Sequence, residues 1–206
     1  MGKMRINHYV VGMVQTNCYI VWAEGSKTCA VIDPGDEAER ILKNMEDRGL
    51  TLEAVLLTHG HFDHVGAVET IVTKTGCALW MNESDYSQFP SPIIAHYFPL
   101  ANCDFTQVQF CEDGEEISAG GLTFTALSTP GHTAGSVCFA CEDALFSGDT
   151  LFSGSCGRTD LPGGDSKFLR ASLERLRELK ENYTVYPGHG ESTTLAWEKM
   201  YNPYLR

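Results

Sequence analysis

Basic residues are scarce in this chain. Of its 206 residues only 15 are Lys or Arg, against 27 Asp and Glu, for a formal net charge of −12. A nucleic-acid binder gains affinity by releasing counterions through a basic surface. So thin a supply of cations offers no such stripe, and the expectation is no nucleic-acid partner. Long apolar runs are missing as well. No stretch of 18 or more apolar residues occurs, which argues against a membrane-spanning helix. The opening Met1-Gly2-Lys3-Met4-Arg5-Ile6-Asn7-His8 has basic residues but no apolar core or small-residue cleavage site behind them, unlike a secretory leader. These absences together predict a cytoplasmic protein with no membrane partner. Repeats, low-complexity stretches and linkers are also lacking, so residues 1–206 read as one domain. Nothing in the pattern speaks to oligomeric state.

Cysteine is not lacking: there are eight, at positions 18, 29, 77, 103, 111, 138, 141 and 156. Their spacing is irregular and several lie in apolar, strand-like runs. Free cysteine behaves as a small buried hydrophobe, and a chain of this length can bury a core without disulfide staples. Reduced structural thiols in a reducing compartment are therefore expected. Cys138 and Cys141 form a C-x-x-C, but in a strand residues i and i+3 face opposite sides. That predicts a structural pair rather than a redox or zinc motif.

Hydropathy alternates between two periods along the chain. Residues 4–11, 18–22 and 28–32 read as strands, with a turn at Gly25-Ser26. Residues 36–48 read as a helix with Ala38, Ile41, Leu42 and Met45 on one face, acids in the first turn and Gly49 as its stop. A short buried strand follows at 54–57, then a helix over 65–75 closed by Gly76. Residues 82–104, with Pro90, Pro92, Pro99, Phe89, Tyr97 and Phe98, read as an apolar loop or short-helix insertion. Strands return at 122–127, 136–140 and 144–147. Asp165 caps a helix carrying Leu169, Leu173 and Leu176, and 183–186 is a last strand.

The chemistry is concentrated at the ends of these runs. His59-Gly60-His61-Phe62-Asp63-His64 sets three imidazoles and a carboxylate directly after a buried strand. Five of the chain's seven histidines fall in three short motifs: this one, Pro130-Gly131-His132-Thr133 and Pro187-Gly188-His189-Gly190. Gly148-Asp149-Thr150 places a second carboxylate after another apolar run. Imidazole nitrogen and carboxylate oxygen suit Zn²⁺, Fe or Mn²⁺. Neighbours so close cannot all serve one ion, so the hexapeptide predicts two metals side by side.

These motifs, at these separations, resemble the metallo-β-lactamase superfamily, and Val31-Ile32-Asp33-Pro34-Gly35 is similar to that superfamily's early acidic motif. The resemblance covers nearly the whole chain. It implies an α+β fold of four layers, an αββα sandwich with two mixed sheets face to face, helices outside and metals at one edge. Within the superfamily, residues 58–66, Gly148-Asp149-Thr150-Leu151-Phe152 and Gly157-Arg158-Thr159-Asp160 look like glyoxalase II, the hydroxyacylglutathione hydrolases.

That resemblance implies a division of ligands: His59, His61 and His132 on a first metal, Asp63, His64 and His189 on a second, and Asp149 bridging both. It further implies a small-molecule thioester substrate such as S-lactoylglutathione, cleaved by metal-activated water that Asp63 orients. Arg158 would grip the thiol part of the substrate, and the cofactor would be two divalent ions, zinc before iron or manganese. One departure bears on the substrate. Full-length glyoxalase II enzymes carry a C-terminal helical domain that grips glutathione, whereas here 16 residues follow Gly190. The chain is closer to short, single-domain glyoxalase II-like hydrolases, which Leu161-Pro162-Gly163-Gly164-Asp165 also resembles, and the thiol stays open. Persulfide dioxygenases look similar over the same segments and imply one iron on His59, His132 and Asp149. Lactonases and nucleases of the superfamily are further alternatives.

Overall fold

The structure, a computed structural model, describes residues 2–86, 97, 99–102 and 108–206. Two six-stranded sheets organise it. In the first, β1 (Met4–Val11), β2 (Thr16–Ala23) and β3 (Thr28–Ile32) form an antiparallel meander. β3 then pairs in parallel with β4 (Thr51–Leu56), β4 with β5 (Ala78–Met81) and β5 with β6 (Val108–Phe110). Parallel neighbours need crossovers; α1 (Ala38–Asp47) supplies the one from β3 to β4, and α2 (Phe62–Val65) and α3 (Val68–Thr75) the one from β4 to β5.

The second sheet runs in the order β14, β13, β10, β9, β8, β7. Its strands are β7 (Glu116–Ala119), β8 (Leu122–Ser128), β9 (Val137–Cys141), β10 (Ala144–Gly148), β13 (Thr184–Pro187) and β14 (Thr193–Thr194). Only β10 and β13 pair in parallel, joined through a small hairpin of β11 (Leu151–Phe152) and β12 (Ser155–Cys156) and then α4 (Ser166–Glu178). α5 (Leu195–Tyr201) follows β14.

Strand alternation sorts the core into three apolar layers. Ala30, Ile32, Ala54 and Leu56 of the first sheet meet Phe124, Val137, Phe139 and Phe146 of the second. On the other face of the first sheet, Cys29, Val31, Val55 and Leu79 pack under Ile41 and Met45 of α1 and Val68, Ile71 and Val72 of α3. Beyond the second sheet, Leu145 and Val185 pack under Leu169, Leu173 and Leu176 of α4. The result is the αββα sandwich. No helix among the described residues is long and apolar enough to cross a membrane.

Cys138 and Cys141 fall on opposite faces of β9, in the outer and inter-sheet layers respectively. Burial pushes their thiols up to about 11 and about 12, so neither is a nucleophile at neutral pH. The seven described cysteines are all free.

One expectation needs revision. The helix expected over 65–75 is broken at Gly66, because the Ala67 amide turns out to bond the Pro34 carbonyl at 3.0 Å. A β-carbon on Gly66 would lie 2.3 Å from the Gly35 carbonyl oxygen. Close packing against the Asp33-Pro34-Gly35 turn ends one helix and starts another. The irregular segment expected over 82–104 lies mostly outside the described residues; within them, Glu83–Asp85 and Pro99–Asn102 are single 3₁₀ turns.

Candidate metal centre

All the histidine motifs arrive at one edge of the sandwich. β3 ends into Asp33, β4 into Thr58 and His59, β10 into Asp149 and β13 into His189, while His132 sits in the turn between β8 and β9. The carboxyl ends of the parallel strands thus face the same way, and the loops beyond them carry the polar residues.

Three overlapping groups of side chains converge there, and one of them, Asp33, His59 and His64, shares a histidine with each of the other two. His59, His61 and His132 bring one ligand atom each to within 4.8 Å of the others, and so do Asp63, His64 and His189. In the first group, His132 Nε2 lies 2.9 Å from His61 Nδ1. In the second, His189 Nε2 is 3.2 Å from Asp63 Oδ2 and His64 Nε2 is 3.6 Å from it. Asp149 stands between the groups. Its Oδ2 is 3.6 Å from both His132 Nε2 and His189 Nε2, and its Oδ1 is 3.4 Å from His64 Nε2.

Outer contacts decide which nitrogen each ring turns inward. His132 Nδ1 faces the Arg158 carbonyl at 2.8 Å, and His189 Nδ1 faces the Gln15 carbonyl at 3.3 Å. A carbonyl only accepts, so each Nδ1 carries the proton and each Nε2 presents its lone pair to the site. His64 Nδ1 donates to Asp33 Oδ2 at 2.9 Å. The same oxygen accepts from Thr58 Oγ1 at 2.6 Å, which leaves the hydroxyl to accept from His59 Nδ1 at 3.1 Å. Asp33 therefore sets two imidazoles at once. It adopts a left-handed backbone (φ 49°) and also accepts from the Thr58 amide at 2.8 Å. Fixing the outer nitrogen in this way is how proteins orient metal-ligating histidine.

Among the described residues, buried His59 Nε2 has no hydrogen-bond partner, and buried Asp149 Oδ1 has only the long 3.4 Å contact to His64 Nε2. Leaving such an atom unpaired costs about 1–3 kcal/mol, so a chain that keeps it is keeping it for something. The surrounding backbone leaves room for it. A β-carbon on Gly188 would lie 2.2 Å from Asp149 Oδ1 and 2.6 Å from His64 Cε1, so any side chain there would fill the space between the ligands. An orphaned donor atom, kept space and imidazole–carboxylate chemistry all fit a site for divalent metal.

Electrostatics differ between the two groups. Burial, helped by the neighbouring imidazoles, holds His59 well below its usual value and His61 down to about 3. Both are neutral and ready to bind cations. Burial opposes charge on His64 too, but Asp149 and Asp33 overcome it and raise the imidazole well above normal. His189 is raised against its burial by the hydrogen bond to Asp63 and by Asp149. Asp63, despite burial, is held well below the carboxylate range by His189 and His64.

The residue family model of the metallo-beta-lactamase superfamily matches residues 11–189. The chain belongs to that superfamily. It is 40% identical over 209 residues to a hydroxyacylglutathione hydrolase, GloC, of Haemophilus influenzae, covering 98% of each chain. Among solved structures, it superposes on the BLEG-1 B3 metallo-beta-lactamase with a TM-score of 0.84 and 34% identity, over 98% of this chain and 99% of that one. TTHA1623, solved in a di-iron-bound form, gives a TM-score of 0.81 at 39% identity, over 97% and 100%.

Every expected site residue has a definite place. The seven histidines and aspartates of the motifs meet at the sheet edge, whereas Arg158 points outward and pairs with Asp160 through two contacts of 2.7 Å. Three positioning residues had been missed. Asn17 donates to the Pro187 and Gly190 carbonyls at 2.9 Å each, bracketing His189; a buried asparagine inside the apolar β2 was a readable signal. Thr58 relays Asp33 to His59. Asp85, in the turn after β5, is almost fully buried, and no sequence pattern marked it. Burial raises its carboxyl, while Thr133, Gly60 and Gly135 donate to it and oppose that rise.

Proposed function

We propose that this chain is a binuclear metallo-hydrolase cleaving a small acyl-thioester, S-lactoylglutathione or a related acyl-thiol. The observation that carries the reading is the pair of ligand groups with Asp149 between them and the buried His59 Nε2 left without a hydrogen bond. The similarity to a hydroxyacylglutathione hydrolase over nearly the full length of both chains supports the thioester. His59, His61 and His132 would hold one ion and Asp63, His64 and His189 the other, with Asp149 touching both; zinc is the first choice.

When bound, such ions supply Lewis acidity, lowering the pKa of water towards about 7 and polarising a carbonyl. The chain's own residues do the rest. Asp63, kept ionised by His189 and His64 and steadied by Thr16 Oγ1 at 3.1 Å, would orient the attacking water. Asp33 and Thr58 keep His64 and His59 aimed. The departing thiolate needs little help, since a thiol ionises near about 8.5. Arg158 holds an anionic part of the substrate. The surface cavity of about 670 Å³ that it lines with Arg170, Glu174, Arg177 and Arg206 includes none of the seven candidate ligands.

Iron in place of zinc has its own support, since TTHA1623 was solved in a di-iron-bound form; the second reading differs in needing one iron only. Iron on His59, His132 and Asp149 would suit a persulfide dioxygenase instead. The deciding experiment assays the purified protein and its Asp149→Ala variant with S-lactoylglutathione, and oxygen uptake with glutathione persulfide. Thioester cleavage lost in Asp149→Ala supports the hydrolase; oxygen consumption without thioester cleavage rejects it. A lactone, an RNA and a β-lactam in the same panel test the superfamily's other chemistries.

A further inference from the structure

Asp85 lies outside the ligand groups yet ties two of their loops together. Its Oδ2 accepts from the Gly60 amide at 2.9 Å and from Thr133 Oγ1 at 2.7 Å, and its Oδ1 accepts from the Gly135 amide at 2.8 Å. Gly60 is the residue between His59 and His61. Thr133 directly follows His132. One carboxylate, 1% exposed, therefore bonds to both backbone segments that present the three-imidazole group.

The surroundings are built around that carboxylate. A β-carbon on Gly135 would lie 2.7 Å from Asp85 Cγ and Oδ1. Ser136 Oγ accepts from the Thr133 amide at 3.0 Å and lies 2.8 Å from Thr133 Oγ1, holding the hydroxyl that donates to Asp85. Burying a carboxylate costs several kcal/mol unless donors surround it. Here three donors do, from two loops far apart in sequence. The second group is held differently: its His64 is oriented by Asp33 and its His189 by Gln15.

We propose that Asp85 is a positioning residue that sets the spacing between the His59–His61 loop and the His132 loop, and so tunes the affinity of the three-imidazole metal site selectively. The proposal rests on the two-metal reading above. Asparagine in its place keeps the shape but turns an amide N–H₂ towards the Gly60 or the Gly135 amide, so one of the backbone anchors is lost. Alanine removes all three bonds and leaves three buried donors unpaired. Outer contacts of this kind change metal affinity by about 10–100-fold.

The test measures zinc affinity by competition with a chromogenic chelator, in two backgrounds that each isolate one group. His189→Ala leaves the three-imidazole group intact, and His61→Ala leaves the Asp63–His64–His189 group. Adding Asp85→Asn should weaken zinc binding by about 10-fold or more in the first background and by less than about threefold in the second. Thr133→Val removes one of the three Asp85 bonds, together with the Ser136 Oγ contact, and should give a smaller loss, about fivefold, with the same selectivity; it decides the matter if Asp85→Asn does not fold. Equal losses in both backgrounds, or a lower melting temperature with unchanged zinc affinity, would overturn the proposal. If the unsubstituted protein binds no zinc or one ion only, it is the two-metal reading that fails.

Discussion

Asp33 Oδ2 accepts the Nδ1 proton of His64 at 2.9 Å, deep in the sheet edge where both side chains are all but inaccessible. The same carboxylate binds the Thr58 amide and hydroxyl. Replacing it with alanine leaves three buried donors without an acceptor and lets the His64 ring turn. Asp33→Ala should cost about 3–5 kcal/mol in urea unfolding, the usual penalty for removing one member of a buried charged pair. Zinc retention should fall with it. Unchanged stability would mean that water or a rearranged loop replaces Asp33.

Gly188→Ala tests the space kept between Asp149 and His64. A methyl group there collides with both residues, and overpacking of this kind costs about 1–3 kcal/mol. The variant should fold, melt lower and carry fewer metal ions per chain than the parent, as read by elemental analysis. A variant with full metal content would show that the ligands are not arranged around that space.

The two ligand groups should respond to pH with opposite sign in the metal-free protein. His59 and His61 have folded-state pKa values below the unfolded value of about 6.5, His61 at about 3. The unfolded chain therefore binds protons that the folded chain refuses, and stability is lost as pH falls from about 6.5 towards about 3. His64 and His189 are raised. Their contribution is fully present below the unfolded pKa and disappears as pH rises through the folded values. Urea unfolding of the metal-free protein across this range should show the acid loss, and His61→Gln should reduce it. A zinc ion entering the second group must also displace these protons, so proton release, followed with an indicator dye, should be larger for the second group than for the first.

Arg158→Gln should act on substrate binding. Hydrogen bonds to charged groups are worth about 1.5–3 kcal/mol, so KM for an acyl-thiol with an anionic thiol portion should rise by at least about 10-fold, with kcat changing little. A neutral thioester should be insensitive to the change. Equal loss with both substrates would show that Arg158 does not act on the anionic portion of the substrate.

Much of the architecture was legible in the sequence because strand and helix periods are clean where the core is continuous. Residues 28–32 of β3 and the leucines of α4 are examples, and the parity of Cys138 and Cys141 correctly separated them onto two faces. The convergence of the histidine motifs was legible because imidazoles clustered beside glycine have no packing role. What stayed hidden was long-range. The break at Gly66 depends on the Pro34 carbonyl, 33 residues earlier in the chain. Asp85 was invisible for the same reason, since its partners lie 25, 48 and 50 residues away. A lone aspartate in a turn carries no mark of burial until the fold brings its donors to it.

The central claim is a shared two-metal site spanned by Asp149. Metal content of the protein as purified, measured by elemental analysis and compared with Asp149→Ala, tests it most directly. The account predicts two divalent ions per chain, with both weakened in the variant because each group loses a ligand atom. A single iron per chain, retained on His59 and His132 and accompanied by oxygen uptake with a persulfide, would contradict it.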